Sequence, residues 1–319
     1  MMKLVTILAF LAVVETSHAF QATKPLPAQI SQKNYHILYA EPQYDKIDAV
    51  LESAEELGEG SVLLHVNTGE SSVDYQPGHV IAFEMKAQNL TALTGKTAED
   101  AEKNDGFMRG PYTLSRATKN SFDILIRVVG EKSREFAAAK QGTPVRFGGK
   151  FKVPILEGIQ KNDTERVVLL STGVGVGPCV GAIEEALKDE SFPPIHLVAN
   201  YRTTSDVVYE KHLIDLATTN ADRLKYIPFI TSERGGRLSD NEENMEVIKS
   251  ASLGLTDTHY HLIGNGQMVK EWQDGLKNAG VPKDKVTTEM YFNHKEPARE
   301  GVSEKIAKLM NEKAFATSA

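Results

Sequence analysis

The chain has 319 residues, of which 41% are hydrophobic and 25% charged, and its formal net charge is −7 at pH 7. This length allows about two domains with buried cores, and the composition excludes a disordered chain and a basic nucleic-acid-binding protein. The single cysteine, Cys179, excludes an internal disulfide framework and a cysteine-rich metal site, and the nine histidines show no ligand spacing, so we expect no metal.

Residues 1–19 have the pattern of a signal peptide. A basic start at Lys3 precedes an apolar run over 4–14, and 17–19 fit a small-x-small cleavage site. The apolar run is too short to span a membrane, so we expect no stable span once the presequence is removed.

A second targeting segment, 20–33, follows the predicted cleavage site. It opens on Phe20 and belongs to a stretch, 20–40, that contains no acidic residue. The two segments together resemble the bipartite presequence of algae that import plastid proteins through the secretory route. Simple secretion is the alternative, although a disulfide-free protein suits a plastid stroma better.

The mature chain divides into two halves of different pattern. Over 34–160, short alternating strands with turn residues between them predict an antiparallel β-barrel, with the clearest strands at 61–67, 79–85, 122–129 and 143–147 and a long polar loop at 86–108. Over 161–292, strands alternate with helices, which predicts an α/β domain with a Rossmann-like parallel sheet built from 167–170, 195–200, 226–230, 259–263 and 286–290. The tail, 293–319, contains an amphipathic pattern over 303–315 that predicts a helix.

A glycine-rich turn follows the first strand of the second half. Thr172, Gly173, Val174, Gly175, Gly177 and Pro178 connect a buried strand to a helix predicted over 180–187. Glycines let the backbone approach a pyrophosphate, and a helix N-terminus offers free N–H groups, so this order predicts a dinucleotide site.

Basic residues follow the next two strands. Arg202 stands where a NAD site would place an acidic residue for the ribose hydroxyls, which favours the 2′-phosphate of NADP. Ser232, Arg234 and Arg237 follow the strand after that and could complete a phosphate site.

The barrel half offers groups for a second cofactor. Arg109, Tyr112, Thr113 and Ser115 supply a cation, an aromatic ring and two hydroxyls within one predicted strand segment. Ser133 precedes a helix predicted over 134–140, where it is placed as the N-cap with neighbouring N–H groups for a phosphate.

These motifs occur in the order found in the ferredoxin–NADP reductase family, and the chain resembles its bacterial branch most. The matching motifs are Pro-Gly at 77–78, Tyr-Thr-Leu-Ser at 112–115, Gly-Glu-Lys-Ser at 130–133, Thr-Gly-Val-Gly-Val-Gly-Pro at 172–178, Tyr-Arg-Thr-Thr-Ser-Asp at 201–206, Gly-Asn-Gly-Gln-Met at 264–268 and Glu-Met-Tyr-Phe at 289–292. The resemblance implies an FAD-binding barrel, an NADP-binding sheet, and electron exchange between NADP(H) and a one-electron carrier such as ferredoxin or flavodoxin.

The resemblance also implies residue roles. Tyr112 would pack on the flavin ring with Thr113 near its reactive nitrogen, and Arg109 and Ser133 would hold the FAD pyrophosphate. Residues 172–178 would receive NADPH, with its 2′-phosphate at Arg202, Ser232, Arg234 and Arg237. Gly264, Asn265 and Met268 would close the nicotinamide pocket, and Glu289 would stand near the flavin edge with Thr113 as the catalytic pair.

The chain departs from the family pattern at four places. Two residues separate Arg109 from Tyr112 where the family has one. Val174 replaces a threonine of the glycine turn, and Ile263 replaces a cysteine before Gly264. The chain also continues for 27 residues beyond Phe292, where plant-type enzymes end on a tyrosine.

Charge along the chain suggests an acidic partner. Residues 109–161 carry eleven basic and four acidic side chains, although the whole chain is acidic. A basic face there would steer an acidic carrier toward the flavin. Two alternatives stay open: a reductase of the same fold for a quinone, metal chelate or cytochrome, and a non-catalytic nucleotide-binding relative.

Overall fold

The computed structural model describes residues 44–159 and 163–312. The predicted presequence, 1–33, lies outside these residues. Within the described ranges, none of the helices combines the length and the apolar character that crossing a membrane requires.

The first half forms a seven-stranded antiparallel, barrel-like sheet in the order β4-β3-β7-β1-β2-β6-β5. Its strands are β1 (Ile47–Gly58), β2 (Ser61–Asn67), β3 (Val80–Lys86), β4 (Phe107–Thr113), β5 (Arg116–Ala117), β6 (Ser121–Arg127) and β7 (Pro144–Gly148). Leu64, Phe83, Phe122 and Phe147 are buried inside it. The apolar residues that alternate along each strand therefore form one core, as the sequence predicts.

Three helices accompany this sheet: α1 (Gly95–Lys103), α2 (Glu131–Ala137) and α3 (Ile155–Gly158). The prediction of a loop over 86–108 was wrong, because α1 and the start of β4 lie inside it. Ala101 is the buried residue of α1. Since alanines make up its inward face, α1 lacks the hydrophobic periodicity by which a helix is predicted.

The second half forms a five-stranded parallel sheet in the order β10-β9-β8-β11-β12. Its strands are β8 (Arg166–Thr172), β9 (Ile195–Tyr201), β10 (Leu224–Ile230), β11 (Thr258–Asn265) and β12 (Val286–Phe292). The strand order reverses between β8 and β11, and such a switch point places a ligand crevice at the carboxyl ends of the strands.

Five helices surround this sheet: α4 (Val176–Ala186), α5 (Glu210–Thr219), α6 (Glu242–Ala251), α7 (Gly266–Ala279) and α8 (Val302–Glu312). Helix α4 packs on the side that faces the barrel, where Leu125 of β6 joins its core, and α6, α7 and α8 cover the other side around Trp272. The fold thus combines a β-barrel with a Rossmann-like α/β sheet, as predicted.

Two helix starts differ from the predictions. Helix α4 begins at Val176 rather than Val180, because the glycine turn passes directly into it through a short 3₁₀ turn. Helix α2 begins at Glu131, so Ser133 is its third residue and Gly130 is its N-cap. The N-cap prediction for Ser133 was therefore wrong.

Candidate functional site

The carboxyl ends of the parallel strands enclose a cleft of about 630 Å³, named here the sheet-end cleft. Its lining takes at least one residue from the end of each strand: Thr172, Tyr201, Thr231, Asn265 and Phe292. The volume lies within the usual range for small-molecule sites. This is the position at which the strand order predicts a bound ligand.

The ends of β8 and β11 contact each other closely at the sheet-end cleft. The Thr172 hydroxyl accepts a 2.7 Å hydrogen bond from the backbone N–H of Asn265, which joins the ends of β8 and β11. Gly264 has a φ of +121°, and a Cβ there would lie 2.2 Å from Thr172 Oγ1. Gly173 has a φ of +52° with open space around it. Glycine is therefore required at Gly264 by packing and favoured at Gly173 by conformation.

Other glycines of the motif serve the contact between the two sheets. A Cβ on Gly177 would lie 2.4 Å from Ser115 Oγ, and one on Gly181 would lie 1.9 Å from the Ser115 carbonyl oxygen. Ser115 is buried, and its hydroxyl accepts from the backbone N–H of Leu125. Ser115 and Gly177, both predicted to contact cofactor, therefore contact each other outside both clefts. Pro178 and Gly175 are buried behind the turn.

The predicted phosphate-binding residues separate into two pairs. Arg202 and Arg237 line the sheet-end cleft. The Arg237 guanidinium donates a 2.9 Å hydrogen bond to Gln267 Oε1. Ser232 and Arg234 lie outside the lining, and the Arg234 guanidinium stands 5.8 Å from the centre of the Phe229 ring. The structure thus brings two of the four predicted groups into the cleft.

Asn265 and Met268 lie where β11 meets α7. The Asn265 side chain caps the helix by accepting hydrogen bonds from the backbone N–H groups of Gln267 at 2.9 Å and Met268 at 3.2 Å. Both Asn265 and Met268 line the sheet-end cleft. The cap fixes the first turn of α7 against the cleft.

A second cleft of about 630 Å³, named here the barrel cleft, lies between the barrel and the end of β12. Tyr112 lines it and packs against Phe83 and Phe136, with 5.7 Å between ring centres in both pairs. Burial raises the pKa of Tyr112 to about 12, so its hydroxyl is neutral at physiological pH. The ring presents a rigid, uncharged aromatic surface to the cleft.

Thr113 and Glu289 form a buried pair in the barrel cleft. The Thr113 hydroxyl donates a 2.5 Å hydrogen bond to Glu289 Oε1, and Lys152 Nζ lies 3.5 Å from Glu289 Oε2. Burial raises the pKa of Glu289 despite the nearby ammonium, and burial lowers the pKa of Lys152. A carboxyl group poised in this way can hold or release a proton within the cleft.

The predicted cation, Arg109, is not among the basic residues that line the barrel cleft. Arg109 lies outside the lining, with Nε 3.7 Å from Glu84 and its guanidinium 5.5 Å from the centre of the Tyr44 ring. Lys132 lines the cleft instead, and its ammonium donates a 2.9 Å hydrogen bond to the Arg109 carbonyl oxygen. The additional residue between Arg109 and Tyr112 changes which side of the strand Arg109 faces.

Ser133 also lines the barrel cleft, beside Lys132. Its hydroxyl accepts from the backbone N–H groups of Val129 at 2.9 Å and Gly130 at 3.0 Å. The hydroxyl thus fixes the start of α2, and Lys132 supplies the positive charge beside it.

Arg127, which sequence reasoning missed, lines both clefts. It donates a 2.9 Å hydrogen bond to Asp206 Oδ1 and a 2.6 Å hydrogen bond to the Glu59 carbonyl oxygen. Val174 and Phe292 also line both clefts. The two clefts therefore adjoin at these residues, so molecules bound in them would meet there.

Six of the eleven basic residues of the segment 109–161 form ion pairs with acids, among them the pair of Arg109 with Glu84. Ion pairs join Arg116 to Glu184, Arg127 to Asp206, Arg146 to Asp48 and Asp105, Lys150 to Asp74, and Lys152 to Glu289. These pairs reduce the positive charge that the sequence count suggests for this face.

Comparison with known proteins supports the fold described above. Residues 169–274 match the family model of the oxidoreductase NAD-binding domain. No curated protein matches the chain significantly in sequence.

Solved structures resemble most of the described fold. The ferredoxin NADP+ reductase of Neisseria gonorrhoeae with bound FAD and NADP has 17% identity and a TM-score of 0.61, over 77% of this chain and 99% of that one. The ferredoxin-NADP+ reductase of Plasmodium falciparum with 2′P-AMP has 12% identity and a TM-score of 0.60, over 77% and 97%.

The flavohemoglobin of Malassezia yamatoensis with bound FAD and heme is similar at 16% identity and a TM-score of 0.62. The match covers 77% of this chain, which spans 60% of the flavohemoglobin. The described residues therefore have the fold of ferredoxin–NADP reductase-like flavoproteins, and 169–274 are similar to the oxidoreductase NAD-binding domain.

Proposed function

We propose that this chain is an FAD-dependent NADPH oxidoreductase that exchanges electrons between NADP(H) and a one-electron carrier. The observation that carries the proposal is the junction of the two clefts at Val174 and Phe292. One cleft presents an aromatic ring and a poised carboxyl group, and the other presents arginines at the ends of parallel strands. Hydride transfer needs two planar rings in contact, and the junction provides a place for that contact.

The barrel cleft fits FAD. Tyr112 provides a flat surface for the flavin ring, and Lys132 provides a cation beside the start of α2 for the pyrophosphate. Thr113 and Glu289 lie at the side of the cleft that adjoins the parallel sheet. The chemistry of these groups, an aromatic surface and a positive charge, matches a planar ring attached to a diphosphate.

The sheet-end cleft fits NADP better than NAD. Arg202 and Arg237 line it, and both can hydrogen-bond a phosphate. Asp206 also lines this cleft, but its carboxylate is engaged by Arg127 at 2.9 Å and by the Thr203 hydroxyl at 3.0 Å. Asp206 is therefore engaged within the protein, by Arg202 as well, whose Nε lies 3.4 Å from Oδ2. The position at the end of β9 where a NAD site would place an acidic residue for the ribose hydroxyls holds Arg202.

The side chains contribute positioning and proton handling to the proposed reaction. Bound FAD would supply the chemistry that couples a two-electron hydride transfer to single-electron steps. Tyr112 would hold the flavin ring in place, and Val174 and Phe292 would border the contact with the nicotinamide. Glu289, held by Thr113, would keep a proton available beside the ring.

Absorbance spectroscopy of the purified full-length protein tests this proposal. We expect a flavin spectrum that bleaches rapidly with NADPH and much more slowly with NADH. A protein that is colourless and takes up no added FAD would contradict the proposal and favour a non-catalytic nucleotide-binding relative. Bleaching by both nucleotides at equal rates would contradict the NADP preference alone.

For the acceptor, we propose an acidic one-electron carrier such as ferredoxin or flavodoxin. The basic surplus of residues 109–161 supports this choice. Stopped-flow reduction of ferredoxin should slow as ionic strength rises, because screening weakens electrostatic steering. Reduction of ferricyanide, measured in parallel, reports the flavin step without a protein partner.

A different acceptor is the second candidate, and the ion pairs that neutralise much of the basic segment favour it. A cytochrome or quinone that is reduced faster than ferredoxin, with no effect of salt, would support this candidate. A plastid location, with secretion as the alternative, stays a prediction from the sequence.

A further inference from the structure

The segment that follows β12 is fixed to helix α7. The Lys270 ammonium donates hydrogen bonds of 2.7 Å to the carbonyl oxygens of His294 and Glu296. Helix α8 packs so closely that a Cβ on Gly275 would lie 2.5 Å from Ile306 Cγ2. Residues 293–312 therefore pack against α7, whose Met268 and Glu271 line the sheet-end cleft.

Arg299, on this segment, contacts two buried residues that line the sheet-end cleft. Its Nε donates a 2.6 Å hydrogen bond to Glu271 Oε1, and its Nη2 donates a 2.8 Å hydrogen bond to the Ser239 hydroxyl. Glu271 is 1% exposed and Ser239 is 3% exposed. The Ser239 hydroxyl in turn donates a 2.6 Å hydrogen bond to Glu271 Oε2, so the three side chains form a closed network.

The same guanidinium reaches the loop that carries Arg237. Arg299 Nη1 forms an ion pair with Asp240. Asp240 Oδ2 accepts a 2.6 Å hydrogen bond from the backbone N–H of Arg237. Arg299 thereby connects α7 to both Ser239 and Asp240, and through Asp240 it fixes the backbone of a cationic residue in the cleft.

We propose that Arg299 is a positioning residue that sets recognition of the 2′-phosphate by holding the loop of Arg237 in place. This inference rests on the proposed function, because it assumes that the sheet-end cleft binds NADP. The guanidinium is suited to the role because its planar fork makes several hydrogen bonds at once, which a lysine cannot reproduce.

The experiment measures binding of adenosine 2′-monophosphate and adenosine 5′-monophosphate to the FAD-loaded full-length protein by calorimetry. In R299Q we expect the affinity for adenosine 2′-monophosphate to fall by about tenfold, which is the effect of losing one charge-assisted hydrogen bond. The affinity for adenosine 5′-monophosphate should change by less than about threefold. R299K should fall between R299Q and the wild type. K308Q is the matched control, since Lys308 is an exposed residue of α8 that pairs with Glu312.

Equal loss of both ligands in R299Q would overturn the inference, because a general loss of structure does not distinguish the two phosphates. Unchanged binding in R299Q would also overturn it. If R299Q fails to fold, D240N is tested with the same expectation, since it weakens the ion pair with Arg299 through which the loop of Arg237 is held. A wild-type protein that binds no 2′-phosphate contradicts the proposed function itself, and this inference with it.

Discussion

The Thr113 hydroxyl donates a 2.5 Å hydrogen bond to the Glu289 carboxylate and so joins β4 of the barrel to β12 of the parallel sheet inside the barrel cleft. Glu289 is 7% exposed. A buried carboxylate that loses a hydrogen-bond donor is less stable in its charged form. The pair therefore links the geometry of the two sheets to the protonation state of one group at the proposed reaction site.

Thr113→Val should lower the turnover number with NADPH by about tenfold, because it removes one hydrogen bond that positions Glu289, while flavin stays bound. Steady-state kinetics with ferricyanide measure the effect. Thr218→Val removes a hydroxyl from the exposed part of α5 and is the matched control. Turnover at the wild-type rate in Thr113→Val would show that the hydrogen bond does not act in the reaction.

Glu289→Gln should change the pH dependence of stability. Burial raises the pKa of Glu289 in the folded protein above that of an unfolded glutamate, which is about 4.3. The folded state then binds more protons than the unfolded state, so this group destabilises the wild type progressively as pH rises from that value through the raised pKa. The melting temperature of Glu289→Gln should therefore match the wild type near pH 4 and exceed it increasingly at higher pH.

Thermal unfolding followed by circular dichroism across this pH range measures the difference. Glu185→Gln, at an exposed glutamate of α4, is the control and should show a constant difference. A difference between Glu289→Gln and the wild type that shrinks as pH rises would contradict the assigned direction of the pKa shift.

Val174→Phe should block the junction of the two clefts. Val174 is buried and lines both of them, so a larger ring there would occupy the space in which nicotinamide and flavin must meet. We expect flavin reduction by NADPH to slow by about a hundredfold, because misplacement of reacting groups by about 1 Å already has that effect. Stopped-flow absorbance gives the rate.

Val174→Thr is the matched variant, since threonine has nearly the same shape and restores the hydroxyl found in the resembled family. It should reduce flavin at a rate within about threefold of the wild type. If Val174→Phe also keeps the wild-type rate, the two rings do not meet at this junction.

Arg237→Ala and Arg202→Ala should each raise the KM for NADPH by about tenfold and leave the KM for NADH nearly unchanged, because each removes one charge that can bind the 2′-phosphate. Arg234→Ala is the matched control, since the structure places that guanidinium outside the cleft and near Phe229. A larger effect in Arg234→Ala than in Arg237→Ala would contradict the arrangement of this loop.

The sequence predicted the site best where the chain topology forces residues together. Thr172 and Asn265 are the last residues of two parallel strands of one sheet, and Arg202 directly follows a third. The carboxyl ends of such strands converge at one edge. Arg127 could not be found in this way. Its place at both clefts depends on how the end of β6 meets Asp206 in the turn after β9, a tertiary contact that no local pattern records.

Residue type was a poor guide to the role of a residue where packing determines its position. Ser115 and Gly177 are types that commonly contact cofactors, yet here they contact each other across the two sheets. Arg109 lies in the predicted strand, but its side chain faces Glu84 and Tyr44. The direction of a side chain on a strand depends on register, and one additional residue reverses it.

Gly181→Ala should destabilise the protein by disrupting the contact between the barrel and α4. The new methyl group would lie 1.9 Å from the Ser115 carbonyl oxygen, which belongs to backbone and cannot rotate away. We expect the free energy of unfolding to fall by about 3 kcal/mol, the upper part of the usual range for overpacking. Gly173→Ala is the control, because its surroundings are open and its cost comes only from a φ of +52°, about 1 kcal/mol. Urea unfolding of the flavin-loaded proteins measures both values, and a Gly181→Ala protein as stable as the wild type would mean that α4 and the barrel are not in contact at Ser115.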